Sequence, residues 1–523
     1  MPIYQQGSLN TTSLVVPDLY VQIVSPQNLV LNGVPTNVIG VVGSASWGPT
    51  NQPVAVATMA DYAVAFGPVS ARKYDMGTSV ASSIQQGASN FRCVRVSDGT
   101  DVAASYAVGV VGGSFSVLLT ARYTGSLGNL VTLTLSPASV QGQWQLTVSM
   151  PGQVPEVYNN IANPNPALFW QNLVAAINFG KGPLRGPSNI VQASLGTATA
   201  AAPSGFSPQS LTGGSDGAVG VSSANLIGQD TVPRSGMFAL RSQACGIGVL
   251  ADLDDATTWT SQAAFGLSEG LYMILTGPVG QSISTAISLK QQAGLDSYAT
   301  KLMFGDWVYW NDQTNGVMRL VSPQGFVAGR LANLSPEQSS LNKPLYSVVG
   351  TQRSGLPGSG QTSTYSDAEL ALLFQNSIDV ITSPQPGGMY WGVRCGHNTS
   401  SNVAISGDNY TRLTNYVAAT LAAGMGAFVG EVINTNLFRR IRSTQLSFLQ
   451  NLFVQGVLGS VTGVPPFSVI CDNTNNPNSR TSLGFVQSDA QVQFQSINEK
   501  FIVNVEGGQT VAIQRQVLPS GLI

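Results

Sequence analysis

Charged side chains are scarce in this sequence of 523 residues. Asp, Glu, Lys and Arg together make up 9% of it, whereas ordinary soluble domains carry about 25%. A free monomer normally uses surface charge to stay apart from its neighbours. The polar surface here comes from Ser, Thr, Asn and Gln and from 57 glycines, which a partner can cover without desolvating charges. The composition therefore favours a surface that an assembly covers. The alternative is a monomer whose surface simply carries little charge.

Basic residues and long apolar runs are also missing. The formal net charge is −2, the chain has 6 lysines, and no basic run stands out, so a nucleic-acid partner is not expected. No apolar run approaches the ~20 residues that a membrane-spanning helix needs, and direct membrane insertion is not expected. Residues 1–12 have neither the charged nor the apolar segment of a secretory signal. We therefore expect a protein that is made in the cytoplasm.

Cysteine and histidine are too sparse to suggest a disulfide framework or a metal site. The 4 cysteines are far apart and form no C-x-x-C pair, which is typical of reduced core residues. The single histidine, His397, has no second histidine or carboxylate near it in the sequence, so a metal site is not expected. We expect no cofactor. The cysteines are Cys93, Cys245, Cys395 and Cys471.

One short motif could indicate an enzyme. Residues 266–270 match the G-x-S-x-G pattern of serine hydrolases, with Ser268 in the nucleophile position. In those enzymes the serine lies on a sharp turn from a strand into a helix. Here a helix-like segment precedes the motif and an apolar strand follows it, so we predict no catalytic role for Ser268. His397, which could act as general base to Ser268 or Cys395, is predicted to be a polar loop residue.

Between residues 102 and 218 the hydrophobic period is two. Apolar and polar residues alternate over residues 115–123, 131–135 and 144–150, which is typical of an antiparallel sheet with one solvated face. A helix capped by Asn165 follows. Sequence of low complexity then returns the chain to its main body, so we predict a self-contained β-rich insert.

The remainder of the chain alternates between strands and helices. Strand patterns at residues 246–251, 271–275 and 302–310 alternate with helix patterns at 255–265 and 282–294. Such alternation predicts a largely parallel α/β sheet.

The last third of the chain predicts two amphipathic helices followed by short strands. The helices are predicted over residues 410–423 and 437–454. Strands are predicted near residues 467–471, 485–494 and 501–505.

Several short motifs, in a constant order from residue 34 to residue 475, resemble those of the contractile-tail sheath family. The match covers most of the chain, and its strength lies in the number and order of the motifs. One departure is Thr124, which stands where the family usually has proline. The motifs are Val34-Pro35-Thr36, residues 47–54 (WGPTNQPV), Ala60-Asp61-Tyr62 with Phe66-Gly67, residues 91–96 (FRCVRV), 123–129 (YTGSLGN), 211–217 (LTGGSDG), 322–329 (SPQGFVAG), 390–394 (YWGVR), and Cys471-Asp472 with Asn475.

The resemblance implies an α/β, multidomain (α+β) fold. It implies a subtilisin-like α/β core without a catalytic triad, an inserted antiparallel β-sandwich, an α+β C-terminal domain, and extended arms at both ends. The expected divisions are an N-terminal arm at residues 1–22, the N-terminal part of the core at 23–101, the β-sandwich at 102–218, the subtilisin-like domain at 219–388, the C-terminal domain at 389–508, and a C-terminal arm at 509–523.

The resemblance also implies a structural role rather than catalysis. Such a subunit polymerises around an inner tube as a helical homo-oligomer of six-fold stacked rings, and contracts to drive the tube through the target cell envelope. The implied partners are the inner tail tube protein and the baseplate and tail terminator proteins. The implied location is the virion tail, assembled in the bacterial host cytoplasm. The alternatives are a serine hydrolase that uses Ser268 and His397, and a secreted β-rich surface protein.

In this family the arms add strands to the sheets of neighbouring subunits. This sequence has a short alternating strand near each end, with no obvious sheet of its own. An unpaired strand is a template for another chain, and main-chain hydrogen bonds supply the affinity. The predicted arm residues are Leu19, Tyr20, Val21, Gln22, Ile23 and Val24, and Thr510, Val511, Ala512, Ile513 and Gln514.

Three arginines crowd the first turns of the helix predicted at residues 437–454. Cations at a helix N-terminus are unfavourable because the helix dipole is already positive there. Arg439 and Arg442 lie three residues apart and share a face. The C-terminal domain lines the lumen in the family, so Arg439, Arg440 and Arg442 are candidates to meet acidic groups on the tube. The alternative is a solvated face, or an ion pair with Glu431 or another carboxylate inside the subunit.

Overall fold

The computed structural model describes residues 3–6, 20–23, 31–183, 185–359, 365–460 and 462–505. Strands are distributed along all of the longer described ranges. The strands are β1 (Ile3–Gln6), β2 (Tyr20–Ile23), β3 (Ile39–Gly43), β4 (Pro53–Val56), β5 (Phe91–Arg95), β6 (Ser105–Val108), β7 (Val117–Ala121), β8 (Thr132–Pro137), β9 (Trp144–Ser149), β10 (Glu156–Ile161), β11 (Val191–Leu195), β12 (Phe206–Ser210), β13 (Ile247–Leu250), β14 (Tyr272–Thr276), β15 (Thr300–Met303), β16 (Val308–Asp312), β17 (Val317–Val321), β18 (Val348–Thr351), β19 (Ile381–Thr382), β20 (Gly392–Val393), β21 (Phe467–Ile470) and β22 (Asp489–Val492).

The helices are mostly short, apart from two long ones in the last third of the chain. Among the described residues, no helix is both long and apolar enough to cross a membrane. The helices are α1 (Met59–Phe66), α2 (Met76–Gln85), α3 (Pro166–Phe179), α4 (Ser223–Ile227), α5 (Trp259–Glu269), α6 (Ile283–Gln292), α7 (Gln324–Ala332), α8 (Asp367–Gln375), α9 (Asp408–Met425), α10 (Thr435–Val454) and α11 (Asn478–Thr481).

A six-stranded sheet in the order β15-β14-β13-β3-β5-β4 forms the centre of the fold. All neighbours in it are parallel except β4, which runs antiparallel to β5. Its middle strands are apolar because helices cover both faces, and every residue of β3, β13 and β14 is buried. The predicted parallel α/β sheet is confirmed.

Two separate hydrophobic clusters lie on the two faces of this sheet. One contains Met76 and Val80 of α2 and Phe326 of α7. The other contains Trp259 and Phe265 of α5. The sheet is therefore the middle layer of a three-layer structure.

The β-rich insert consists of two antiparallel sheets. Their strand orders are β10-β9-β8-β12 and β11-β7-β6. The predicted period of two is confirmed, because Val117, Leu119 and Ala121 are buried and the residues between them are less so. The predicted cap of α3 is also present, since the Asn165 side chain accepts a hydrogen bond from the Leu168 N–H at 3.0 Å.

The insert is fixed to the main body through buried contacts. Trp47 precedes β4, yet its side chain belongs to the hydrophobic cluster of the insert and packs edge-on against Tyr123. The buried Arg95 guanidinium donates to the carbonyls of Gly48 and Thr124, both at 2.7 Å, and of Asp216 at 3.1 Å. One arginine therefore bonds to the body, to the insert and to the segment through which the chain returns from the insert.

Three predicted strands differ from the structure. The segment predicted at 302–310 is divided into β15 and β16, and β16 belongs to a separate sheet of order β17-β16-β18. The strand predicted at 485–494 is reduced to β22. Residues 501–505 form no strand, because no other described segment lies beside them to supply ladder hydrogen bonds. The predicted helices at 410–423 and 437–454 are confirmed as α9 and α10.

Candidate assembly surfaces

The G-x-S-x-G motif lies at the end of helix α5. The Ser268 hydroxyl donates to the Phe265 carbonyl at 3.0 Å, and Gly270 ends the helix in the left-handed conformation with φ 68°. His397 Nε2 lies 2.7 Å from Glu499 Oε1. Ser268 and His397 therefore bond to different partners, and the strand–turn–helix geometry of a hydrolase nucleophile is not formed. Glu499, 102 residues from His397, is a partner that sequence spacing could not reveal.

The four cysteines are buried and free. Burial raises the pKa of the Cys245 thiol to about 12, so this thiol is not a reactive thiolate at neutral pH. Within the described ranges, no group of three His, Cys, Asp or Glu side chains could hold a metal ion.

A buried carboxyl group begins helix α2. Asp75 Oδ2 accepts hydrogen bonds from the N–H and hydroxyl of Thr78, each at 2.8 Å. Asp75 Oδ1 has no hydrogen-bond partner, and the Arg72 Nε atom lies 3.8 Å away. Burial raises the pKa of Asp75 from 3.8 to about 7.

We expect the Asp75→Asn variant to gain stability relative to the wild type as pH rises. A carboxyl group whose pKa is raised in the folded state favours folding when protonated, and this contribution is lost as pH rises from 3.8 towards 7. Asparagine has no such charge. Denaturant unfolding at a series of pH values between 4 and 8 would measure the difference in unfolding free energy between the two proteins. The contributions of most other titrating groups cancel in that difference. Asp61 is an exposed cap whose pKa is lowered from 3.8, chiefly by Thr58, so the difference in stability between the wild type and Asp61→Asn should stay constant over this pH range. If the unfolding free energies of the wild type and Asp75→Asn changed equally with pH, the prediction would be contradicted.

Three charged side chains meet in the interior where the parallel sheet contacts the last third of the chain. Lys301 of β15 places its Nζ atom 2.6 Å from Asp379 Oδ2 and 3.0 Å from Asp408 Oδ1. The side chains of Lys301 and Asp408 are fully buried and that of Asp379 is 1% exposed. We call Lys301, Asp379 and Asp408 the charged triad. Buried charges of this kind are tolerated only when they are paired and hydrogen-bonded.

Both carboxylates of the charged triad are well supplied with hydrogen-bond donors. Asp379 accepts from the N–H groups of Val380, Cys395 and Gly396 at 2.7 to 2.9 Å. Asp408 accepts from the Tyr272 hydroxyl at 2.6 Å and the Ser340 N–H at 3.1 Å. The triad therefore joins β14, β15 and the first residue of α9 in one network.

The pKa directions agree with a paired state. Burial raises the pKa of Asp408, but the Lys301 ammonium and the Ser340 hydroxyl outweigh it and hold the pKa at about 2. Burial lowers the pKa of Lys301, but the Asp379 and Asp408 carboxylates outweigh burial and raise it above its ordinary value. Sequence reasoning missed the triad. The available signal was a lysine inside an apolar strand of a chain with 6 lysines.

The segment that leads out of the N-terminal region is anchored on α9. Leu31 is buried in one cluster with Val417 of α9 and Phe448 of α10. A Cβ atom at Gly424 would lie 2.1 Å from Leu31 Cδ2, so only glycine leaves space for that side chain. The Val34 N–H donates to the Thr420 hydroxyl at 3.2 Å. These contacts hold residues 31–34 beside α9.

The predicted arm segments are only partly described. Tyr20–Ile23 forms β2, which pairs in parallel with β1. Leu19, Val24 and the predicted strand at 510–514 lie outside the described residues. Just before that strand, Phe501, Ile502, Val503 and Val505 are each at least 64% exposed. Such an exposed apolar stretch indicates a contact surface.

A small sheet in the last third of the chain has open edges. Strands β21 and β22 pair in antiparallel register and form a sheet of two strands. Within the described part of the chain, each of them therefore has one edge that no strand covers. Two-stranded sheets are marginally stable alone, and open edges accept further strands.

The three arginines of α10 differ in their surroundings. Arg440 forms a two-point ion pair with Glu431, with N–O distances of 2.5 and 3.1 Å, and lies over the Phe428 ring. Arg439 and Arg442 are exposed, and neither forms an ion pair with another residue that the structure describes. The internal ion pair considered from the sequence is thus present for Arg440, and Arg439 and Arg442 remain available to a partner.

Comparison of the sequence with known proteins finds no matching family model and no matching curated protein. Comparison of the fold does find similar solved structures. The sheath tail protein of Desulfitobacterium hafniense shares 15% identity, with 87% of this chain and 93% of that chain covered and a TM-score of 0.57. The sheath tail protein of Listeria innocua shares 14% identity, with 85% and 90% covered and a TM-score of 0.59.

A third similar structure comes from a sheath complex. It is the PVC sheath complex of an extracellular contractile injection system in the contracted state. Its identity is 12%, the coverage is 95% of this chain and 99% of that chain, and the TM-score is 0.53. The resemblance seen in the sequence motifs is confirmed for the fold. This chain has the mixed α/β, multi-sheet fold of contractile-sheath tail proteins.

Proposed function

We propose that this chain is the structural subunit of a contractile tail sheath. It polymerises around an inner tube and contracts to drive the tube through the envelope of a target cell. The observation that carries the proposal is the match to a sheath in its contracted assembly along 95% of this chain and 99% of that one. The low charge content and the exposed apolar stretch at residues 501–505 support it.

The assembly is a helical homo-oligomer of six-fold stacked rings. Its partners are the inner tail tube protein, the baseplate and the tail terminator, and its location is the virion tail after assembly in the bacterial cytoplasm. The similarity to sheath tail proteins and to the sheath of a contractile injection system supports this placement. No catalytic step is part of the proposal.

In finer detail, residues 219–388 form a subtilisin-like α/β domain without its triad, and residues 102–218 form a β-sandwich inserted into the core. The parallel order of β13, β14 and β15 and the two sheets of the insert support these assignments. Residues 389–508 form the C-terminal domain.

Neighbouring subunits are connected by arms at residues 1–22 and 509–523. An arm strand from another subunit adds to an open edge of the β21–β22 sheet, and main-chain hydrogen bonds supply the affinity. The packing of Leu31 in one cluster with Val469 of β21 supports this arrangement, because it places residue 31 in the domain that holds the acceptor sheet.

Contraction requires no nucleotide in this proposal. The extended lattice is held above its free-energy minimum by docking to the tube and baseplate, and a trigger at the baseplate releases it. New contacts between subunits then favour the shorter packing, which is a population shift between two arrangements.

The direct experiment is negative-stain electron microscopy of the concentrated protein, alone and with tube protein. Hollow helical cylinders are the expected result. A single monomeric species under every condition, including the presence of tube protein, would contradict the proposal. Ser268→Ala and His397→Ala should form the same cylinders as the wild type, and loss of an ester- or peptide-hydrolysing activity in either variant would favour the serine-hydrolase alternative.

We expect exchange of Arg439 and Arg442 for glutamate to weaken co-assembly with the tube. Both side chains are exposed, and the double change reverses the sign of that part of α10. The effect should be larger at low salt, since screening is weakest there. Co-sedimentation with tube protein across a salt series measures tube binding. The control is Arg122→Glu on the insert, which reverses the charge of one exposed arginine in the same way. Equal tube binding by the double variant and the control at every salt concentration would rule out this contact.

A further inference from the structure

The charged triad contains a primary amine and a carboxyl group held side by side on neighbouring strands. Asp379 pairs in parallel with Met303. The Asp379 N–H donates to the Leu302 carbonyl at 2.9 Å, and the Phe304 N–H donates to the Asp379 carbonyl at 2.7 Å. Lys301 lies two residues before Met303 and so projects from the same face of the strand. The backbone therefore places the Lys301 and Asp379 side chains together.

The distance between the two groups is within reach of reaction. Lys301 Nζ lies 2.6 Å from Asp379 Oδ2, so the carboxyl carbon is at most one carbon–oxygen bond length further away. Reacting atoms held about 3–3.5 Å apart in a fixed orientation gain a large rate advantage over free reactants. Water is excluded from this site, since both side chains are at most 1% exposed. Because amide formation releases water, this exclusion favours the bond.

The two oxygens of Asp379 have different surroundings. Oδ1 accepts from the N–H groups of Val380 at 2.8 Å and Cys395 at 2.9 Å. These distances match those of an oxyanion hole, about 2.7–3.1 Å. Oδ2 faces Lys301 and the Gly396 N–H. Oδ1 is therefore placed to carry the negative charge of a tetrahedral intermediate, and Oδ2 to leave.

Asp408 completes the arrangement as a proton carrier. Its Oδ1 atom lies 3.0 Å from Lys301 Nζ. The Tyr272 hydroxyl at 2.6 Å and the Ser340 N–H at 3.1 Å hold the carboxylate in place. A base within hydrogen-bond distance of the amine is the requirement for converting an ammonium ion into a nucleophile.

We propose that Lys301 and Asp379 form an intramolecular amide bond, with Asp408 transferring the protons. Asp408 transfers one proton from the Lys301 ammonium group to Oδ2 of Asp379, so that a neutral amine faces a neutral carboxylic acid. The nitrogen lone pair attacks Cγ, the new C–N bond forms, and negative charge collects on Oδ1. A second proton moves from the nitrogen to Oδ2 through Asp408, the C–Oδ2 bond breaks, and one water molecule leaves. No oxidant, metal or other reactant is needed.

The bond would close the chain between residues 301 and 379 into a covalent loop. It joins β15, at the edge of the central sheet, to the segment that continues into β19. A mechanical subunit benefits from such a link because a covalent bond does not separate under load as an ion pair does. The chemistry itself is independent of the proposed sheath function.

The mass of the full-length protein under denaturing conditions tests the proposal. The wild type should be lighter than its sequence by one water molecule, and proteolysis should yield a branched peptide that joins Lys301 to Asp379. Lys301→Arg keeps a cation but has no primary amine, and should show the full sequence mass. Asp379→Asn should lose ammonia instead of water, since the side-chain nitrogen becomes the leaving group.

Two results would overturn the proposal. One is a wild-type peptide map in which Lys301 and Asp379 lie on separate, unmodified peptides. The other is loss of water that persists in Lys301→Arg, which would place the dehydration elsewhere in the chain. The wild-type map decides the question even where a variant does not fold.

Discussion

Deletion of residues 1–22 is expected to leave a folded, soluble monomer that forms no cylinders, and deletion of residues 509–523 should do the same. Hydrophobic clusters on both faces of the central sheet and inside the insert form the core, and we expect them to keep the chain folded without the arm. Assembly does depend on it in the proposed function, because arm strands supply the main-chain hydrogen bonds between subunits. Circular dichroism and sedimentation velocity measure the two properties separately.

A pair of point variants tests the same idea without truncation. Ile502 is 80% exposed in the stretch that leads to the C-terminal arm, and Val154 is 86% exposed on the insert. Ile502→Ser should reduce polymerisation, whereas Val154→Ser should not, although each removes one exposed apolar side chain. Normal cylinders from either truncation, or equal polymerisation by the two point variants, would contradict exchange of arms between subunits.

Replacement of Lys301 by Met should strongly destabilise the body. It leaves Asp379 and Asp408 buried together without a cation, whether Lys301 is an ammonium ion or part of an amide. Removal of one partner from a buried ion pair costs about 3–5 kcal/mol. The expected change is therefore a large fraction of the unfolding free energy of a typical domain, about 5–15 kcal/mol.

The matched control for this substitution is Lys73→Met. Lys73 Nζ lies 2.9 Å from Asp254 Oδ1, but its side chain is 48% exposed. Exposed ion pairs contribute about 0–1 kcal/mol, so the control should unfold close to the wild type. Urea denaturation of the three proteins gives the comparison. Similar midpoints for Lys301→Met and Lys73→Met would show that the charged triad does not stabilise the fold.

Local patterns in the sequence were sufficient for most of the architecture. The parallel sheet, the period-two insert and helices α9 and α10 all follow from hydrophobic periodicity, which reports which face of a segment is buried. The motifs between residues 34 and 475 indicated the fold because turn and cap residues are dictated by local backbone geometry. The prediction for residues 501–505 was wrong because alternation shows that a segment suits a strand, not that a partner lies beside it.

Contacts between distant residues were decided by the tertiary structure alone. Lys301 meets Asp379 and Asp408 from 78 and 107 residues away, and Trp47 packs into an insert that the sequence predicted to be self-contained. Hydrophobic periodicity does not indicate such pairs, because they depend on which strands become neighbours in the fold. The sequence by itself determined most of the helices and strands, and it determined that the chain carries little charge. The folded arrangement determined which charges meet in the interior, which arginines remain exposed, and which apolar stretch is left uncovered, since each of these depends on distances that arise only when the segments pack.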